Sequence, residues 1–414
     1  MRQFLLVRIV SFTRSVPFEG IPHAGGEYYL RHVRALLEAG HEVVIVAPGD
    51  DENRAALGRY ALPAEVVLID PVGPRVLHYL DRFNVRFRVA VLPERLVRGF
   101  ARDSRVRAAI RRADLLEYQW TEFSYVHGRL PRAVRRAVPA VAVSHDVLSQ
   151  KFLREARVPG LSRRGRLVAR AKSRLVRVDE RRMLQRMRAV IAFSEKDAKL
   201  LEDILGQGRV TVVDPPLEPV DERWSSPRDP QQGEVLFVGA FYRPENADGA
   251  AWLLSEVWPE VREAFPDARL RLVGTGPSDE MLAAADRDSS IEVTGYVEDL
   301  VPSYRSAVVA VVPLHAGAGV KFKTVTSMLW GVPVVATPIG VEGIGEQGSS
   351  YFVEVTDDPH RFARAVAETL ANDEATQDVA SRAKDHAIRT YGSARFAEAL
   401  AALYRSVSGA AFRR

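Results

Sequence analysis

Short β-branched runs alternate with stretches of helical apolar period along almost the whole chain, and this alternation restricts the fold more than any other feature. The opening is the clearest instance. Phe4–Val10 reads as a buried strand, and a polar loop with Pro17, Gly20 and Pro22 runs to Gly25-Gly26. Tyr29, Leu30, Val33, Leu36 and Leu37 then recur at helical spacing, Gly40 stands where a C-terminal cap belongs, and Val43–Ala47 is the next strand. Strand, loop, helix, strand is a βαβ unit, which demands parallel strands and a right-handed crossover.

The same grammar continues. Val66–Ile69, Leu115–Tyr118, Ala140–Ser144, Val190–Phe193 and Val210–Val213 are strand-like, and residues 154–188 form a long Arg-studded helical stretch. Residues 214–233 carry five prolines and no periodicity, and read as a linker. A second series follows: Val235–Val238, a helix around Ala250–Ala264, Leu270–Val273, Ile291–Thr294, Val308–Pro313, an apolar helix at Val325–Trp330, Val334–Thr337 and Tyr351–Val353. Helices are expected at 359–372, 376–390 and 393–408. The expectation is an α/β protein of two doubly wound domains. An N-terminal domain spans 1–213 and a second domain spans 234–392, with a last helix at 393–410 expected to pack back on the first. Ligands of such sheets sit beyond the carboxyl ends of the strands, and the site is expected in the cleft between the domains.

Composition bounds the chemistry. With 414 residues and 47% hydrophobic content the chain can bury ample core, and its lack of Cys removes disulfides, thiolate metal sites and Cys nucleophiles. Apolar stretches such as Val308–Pro313 are far too short to span a bilayer, and Arg8 interrupts the N-terminal apolar run, which therefore reads as a strand rather than a signal peptide. A cytoplasmic protein is expected. The net charge of +5 conceals an imbalance: residues 1–190 hold 36 basic against 19 acidic side chains, and the remainder is acidic.

Glycines cluster at predicted strand ends: Gly239, Gly274 and Gly276, Gly295, and Gly317 and Gly319. Each is ordinary turn chemistry when taken singly. As a set they resemble backbone opened toward a phosphate-bearing ligand. Gly317-Ala-Gly-Val-Lys-Phe-Lys323 joins a strand to the start of an apolar helix and puts Lys321 and Lys323 where positive charge opposes the helix dipole. A bound anion, such as a diphosphate, accounts for that placement; a solvated charged turn is the plainer alternative.

The segment from Gly317 through Thr337, with Gly340 and Glu342-Gly343 behind it, resembles the donor-binding signature of the family 4 glycosyltransferases. Phe237-Val-Gly-Ala, Pro244-Glu-Asn246, Leu272-Val-Gly with Gly276-Pro277, and Thr294-Gly-Tyr-Val-Glu-Asp299 match further blocks. Gly25-Gly26, Gly40-His41-Glu-Val43, Ser144-His-Asp146 and Phe193-Ser-Glu-Lys-Asp197 fit the first half. The resemblance implies the GT-B fold and a retaining transferase that moves a sugar from a nucleotide diphosphate donor to a hydroxyl acceptor: a glycan, a glycolipid or a small natural product. It implies that Gly295, Tyr296 and Val297 meet the base; that Gly239, Arg243, Lys321 and Lys323 meet the diphosphate; and that Gly25 and Gly26 let the N-terminal loop close on the donor. Gly274, Gly319, Thr326 and Glu342 belong to the same expected donor-binding set, and His145 matches a histidine near the reaction centre. A hydrogen-bonded strand-end histidine remains the bland reading of His145.

One departure stands out. Two glutamates eight positions apart are usual in this family, and the aligned positions here are Ala318 and Thr326. Two alternatives therefore stay open: a catalytically silent GT-B partner or activator protein, and a nucleotide-sugar epimerase. No metal-ligand cluster is legible; a metal-independent reaction, with the nucleotide sugar as substrate and no cofactor, is expected. Gly343-Ile-Gly345-Glu-Gln-Gly348 mimics a dinucleotide fingerprint but does not follow the first strand. The thirteen Arg or Lys from Arg154 to Arg188 leave three readings: a solvated helical face, a peripheral contact with an anionic inner-membrane surface, or attraction to an anionic or lipid-linked acceptor. Nucleic acid is not expected, since no stacking platform accompanies the charge.

Overall fold

The computed structural model describes all residues except 1–5, 22–23, 63, 75, 80, 82–91, 156–161, 218–228, 232, 318, 345–349, 372 and 410–414. The beginning of the expected first strand, most of the linker, Ala318 and Gly345–Gly348 lie outside the described residues. The chain forms two compact units, Met1–Pro216 with Ser393–Arg414, and Leu217–Gly392.

The first unit is built on a seven-stranded parallel sheet: β1 (Arg8–Phe12), β2 (Glu42–Pro48), β3 (Glu65–Ile69), β4 (Leu115–Gln119), β5 (Ala140–Ser144), β6 (Ala189–Ala192) and β7 (Val210–Val212), in the order β3-β2-β1-β4-β5-β6-β7. The second unit carries six parallel strands: β8 (Glu234–Val238), β9 (Arg269–Val273), β10 (Ile291–Gly295), β11 (Val309–Val312), β12 (Val334–Ala336) and β13 (Glu354–Val355), in the order β10-β9-β8-β11-β12-β13. Both sheets reverse direction of growth once, next to β1 and next to β8. The crevices beyond β1/β4 and β8/β11 are thus the topological switch points where doubly wound sheets take ligands. The central strands are buried on both faces, as expected where helices cover a parallel sheet; all five residues of β4 and of β5 are buried.

Several local boundaries differ from the sequence reading, each for a physical reason. The first helix begins at Ala24, so Gly25 and Gly26 form its first turn rather than a preceding loop. The expected helix Ala250–Ala264 begins earlier, at Pro244, whose ring suits a first turn, and passes through a π-helical turn at Leu253–Val257. The last strand is Glu354–Val355 rather than Tyr351–Val353, its register fixed by pairing with Val335 and Ala336. The Arg-studded stretch is two helices, Leu148–Glu155 and Arg163–Leu184. Helix Ser393–Gly409 packs on helix Ala24–Glu38 within the first unit, with the Phe396 ring 6.0 Å from Tyr28 and 5.6 Å from His32.

Backbone crowding at the β8/β9 ends is severe. Gly274 has φ +146°, and a Cβ there would lie 1.8 Å from the Gly239 carbonyl oxygen. Gly295 has φ +68°, but nothing lies within 4 Å of its Cβ position. We therefore expect Gly274→Ala to lower the stability of the second unit by about 2–4 kcal/mol, through displaced backbone as well as strain. Gly295→Ala should lose only the left-handed penalty of about 1–2 kcal/mol. Thermal melts of the two variants check the ranking.

Candidate functional site

At the switch point of the first unit, the strand period does the positioning. Glu117 and Gln119 are two residues apart on β4 and share a face, in the middle of an apolar strand. Glu117 is fully buried yet surrounded by donors. His32 Nε2 lies 2.7 Å from Oε2, the Ser11 hydroxyl donates to Oε1 at 2.6 Å, the Gln119 amide donates to Oε1 at 2.8 Å, and the Tyr404 hydroxyl donates to Oε2. Tyr28 OH lies 3.0 Å from His32 Nδ1, and Tyr29 OH donates to Ser11 Oγ at 2.8 Å. Burial alone pushes this carboxyl up; the His32 imidazole and the hydrogen bonds from His32, Ser11 and Tyr404 outweigh it and hold the pKa at about 2.

The other end of the Gln119 amide meets His145. With its NH2 committed to Glu117, the Gln119 carbonyl oxygen faces His145 Nε2 at 3.1 Å, which assigns the ring proton to Nε2. The His145 ring stacks on Trp120 at 4.3 Å and meets Tyr28 and Phe193 edge-on at 5.0 and 5.1 Å. Trp120 has φ +65°, the one non-glycine with positive φ among the described residues, a conformation costing on the order of 1–3 kcal/mol. The helix start lies against this stack: a Cβ on Gly25 would sit 3.0 Å from the Trp120 ring and 3.5 Å from His145 Nδ1. Gly25, Gly26 and His145 are therefore neighbours, held by an aromatic box.

In the second unit, helices Pro244–Trp252 and Phe322–Leu329 follow the two strands that flank the switch point. Neither has a side-chain cap: the capping positions are Arg243 and Lys321. Pro244 carries no N–H, and the Asn246 and Thr324 amides donate to the Arg243 and Lys321 carbonyls at 3.0 Å, so the amides without an intrahelical partner are Glu245 in one first turn and Phe322 and Lys323 in the other, with cations beside them. Lys323 Nζ donates to Asn246 Oδ1 at 2.6 Å, and the Asn246 amide donates to the Ala240 carbonyl at 2.8 Å. The same ammonium lies 4.7 Å from the Phe237 ring centroid and 3.2 Å from where a Gly239 Cβ would be. Loss of water around the amine, then the charges of Arg243 and Lys321, lower its pKa to about 7. Lys321 is buried, donates to the Gly319 carbonyl at 2.6 Å and lies 3.7 Å from Glu342 Oε2. Arg243 pairs with Glu245 at 2.8 Å.

The second unit thus gathers Gly239, Arg243, Lys321, Lys323, Gly319 and Glu342, with Gly274 stacked beneath Gly239. Gly295 ends β10, Tyr296 beyond it is 60% exposed, Val297 is half-buried, and Thr326 lies half-buried one turn into its helix. Among the described residues no group of three or more His, Asp or Glu has the arrangement to hold a metal ion. The sequence reading passed over Glu117, Gln119, Trp120 and His32, and quoted Asn246 as part of a matching block without giving it a role. A carboxylate and an amide two apart inside an apolar strand were the available signal for the first two.

Glu117→Ala leaves the His32, Ser11, Gln119 and Tyr404 donors without their acceptor and should destabilise the first unit by about 3–5 kcal/mol; Glu117→Gln, which keeps an acceptor, should cost less. Because the folded pKa lies below the ordinary carboxyl value, Glu117 contributes stability that is complete above about pH 4.5 and lost as pH falls toward 2. Denaturant melts across that window should fall more steeply for the wild type than for Glu117→Gln.

Comparison with known proteins agrees with this architecture. Residues 25–219 match the Glycosyltransferase Family 4 model, and residues 232–372 match the Glycosyl transferases group 1 model. The chain is 31% identical over 166 residues to an uncharacterized 44.6 kDa protein in the cps region of Klebsiella pneumoniae, covering 38% of this chain and 42% of the relative. It is 30% identical over 189 residues to a phosphatidyl-myo-inositol mannosyltransferase of Mycobacterium tuberculosis, covering 44% and 49%. The chain thus matches about half the length, or less, of these curated relatives. Among solved structures, a sucrose-phosphate synthase from Thermosynechococcus elongatus superposes with TM-score 0.71 at 16% identity, covering 98% of this chain and all of that one. Anabaena HepE in complex with UDP-glucose superposes with TM-score 0.66 at 15% identity, covering 97% and 100%. By sequence in both halves and by fold throughout, the chain belongs to the family 4 glycosyltransferases with the GT-B fold.

Proposed function

We propose that this protein is a retaining glycosyltransferase that takes a sugar from a nucleoside diphosphate donor, with no cofactor beyond the donor, and delivers it to a hydroxyl acceptor. The observation that carries the reading is the cation cluster at the β8/β11 switch point, where Arg243, Lys321 and Lys323 stand beside two uncapped helix N-termini. A buried ammonium whose charge is disfavoured first by loss of water and then by Arg243 and Lys321 is poised for an anion of high charge density, and a diphosphate fits. That the Anabaena neighbour was solved with UDP-glucose supports the donor class, and the mannosyltransferase relative supports a lipid-linked, anionic acceptor.

In this reading the bond between the anomeric carbon and the diphosphate oxygen breaks with its electron pair leaving on the diphosphate. The acceptor oxygen bonds to the same face of that carbon, and its proton passes to the departing phosphate. Arg243, Lys321, Lys323 and the Glu245, Phe322 and Lys323 amides at the two helix starts stabilise the leaving charge. Glu342, half-buried beside Lys321, is the carboxylate we assign to donor hydroxyls, a task for which the Thr326 hydroxyl offers less accepting capacity. Gly295, Tyr296 and Val297 are assigned to the base, and Gly25, Gly26 and His145 to the sugar side. The basic stretch 154–188 is assigned to peripheral contact with the membrane that carries the acceptor.

Donor binding is tested by calorimetry with nucleoside diphosphates. A lysine of pKa about 7 in the free protein is raised by an arriving diphosphate, so binding takes up protons above pH 7. Affinity should fall as pH rises through 7, and Lys323→Met should abolish the proton uptake. Lys321→Ala should remove at least about tenfold in turnover through one lost leaving-group contact. Undiminished turnover in Lys321→Ala, or no nucleotide binding at any pH, overturns the reading. Nucleotide binding without hydrolysis or transfer would favour a silent partner protein, the reading that Thr326 keeps open.

A further inference from the structure

Helix Arg163–Leu184 is amphipathic on two opposite sides. One side is settled by the fold: Ala169, Ser173, Val176, Glu180, Met183 and Leu184 are buried. There the Ser173 hydroxyl donates to the Ser149 carbonyl at 2.8 Å, and Glu180 accepts from the Ser149 hydroxyl at 2.8 Å and the Leu148 N–H at 2.9 Å. The opposite side should be polar in a helix lying on a water-exposed surface. Instead Leu167, Val168, Leu175 and Val178 are 70, 48, 62 and 47% exposed. At about 100° per residue these four fall within one arc of about 100°, centred away from the buried side. Four aliphatic side chains aligned in solvent form a contiguous apolar ribbon rather than scattered exposure.

The surroundings of the ribbon identify what it meets. The helix carries nine basic residues and two acidic ones. Glu180 is consumed by the buried side, and Asp179 lies 3.5 Å from Arg182. Arg163, Arg170, Arg174 and Arg181 project along one edge of the ribbon and are all exposed. The ribbon is convex, aliphatic and without an aromatic anchor, whereas protein interfaces concentrate their energy in aromatic side chains seated in pockets. A deformable apolar medium beneath a negatively charged surface matches both features.

We propose that this outer face of helix Arg163–Leu184 docks on an anionic lipid bilayer. Leu167, Val168, Leu175 and Val178 enter the boundary between headgroups and acyl chains, and the flanking arginines meet headgroup phosphates. The inference deepens the reading of a lipid-linked acceptor by naming the face and the lipid class. Its test needs neither donor nor acceptor, so each can fail without the other.

The experiment is co-sedimentation of the full chain with phosphatidylcholine vesicles, with and without about 30% phosphatidylglycerol. The wild type should bind the anionic vesicles, release from them as salt is raised, and leave the neutral ones unbound. Leu167→Gln/Leu175→Gln/Val178→Gln should reduce binding at least about tenfold through lost apolar insertion. Arg170→Gln/Arg174→Gln/Arg181→Gln should reduce it at least about tenfold, with a flatter salt dependence. All six positions are exposed, so both variants should melt with the wild type. No binding to anionic vesicles, or binding by both variants equal to that of the wild type, overturns the proposal. So does concentration-dependent self-association that only the aliphatic variant loses, since the face would then pair two copies of the chain.

Discussion

In a parallel sheet every strand ends on the same edge, and every return to the start of the next strand must cross over a face. Helices therefore bury both faces and leave the carboxyl ends as the exposed edge that carries loops. Where strand order reverses, the crossovers on either side depart in opposite directions and a crevice opens. Both sheets here have one such reversal, β1 beside β4 and β8 beside β11. Much of what is assigned to ligand handling lies at those ends or beside them: Gly25 after β1 and Trp120 after β4, with His145 after the adjacent β5, and Gly239 and Arg243 after β8 with Lys321 and Lys323 after β11; Gly295 and Tyr296 at β10 and Glu342 after β12 lie further along the same edge.

The two crevices handle charge in opposite ways. Glu117 is an ionised group taken out of water with its acceptor capacity filled by four side-chain donors, so its electrostatic cost is met inside the fold and the result is rigidity. Its influence passes through Gln119 to the orientation of His145. Lys323 is compensated less fully: one amide oxygen and an aromatic face attend it and Glu245 attracts it, while burial and the cations Arg243 and Lys321 disfavour its charge. A satisfied buried charge builds a frame, and an under-compensated one builds affinity for an absent counter-charge. Helix Arg163–Leu184 repeats that second logic at the surface, with its arginines facing water and few acids beside them.

Much of the frame was legible in one dimension because it depends on period. Runs such as Ala140–Ser144 emerged at their observed bounds, and the glycine clusters near the ends of β8, β9, β10 and β11 were visible as a set. Boundaries slipped where local signals compete with packing. Gly25-Gly26 reads as a loop by propensity, yet it lies in the first turn of a helix, where the Trp120 ring and His145 leave little room for a side chain at Gly25. Glu354–Val355 is a strand because it pairs with β12, not because its own composition is strand-like.

Period and composition are local properties of the chain, so the alternation of strand and helix, the parallel sheets that follow from it and the residue types available for binding an anion can all be read along it. Which of those residues meet is set by the folded arrangement. Lys323 and Asn246 are 77 positions apart, and Tyr404 and Glu117 are 287 apart. It also decided which side of helix Arg163–Leu184 remains in solvent. Contacts at such separations depend on strand order and burial, which no local window of the chain contains.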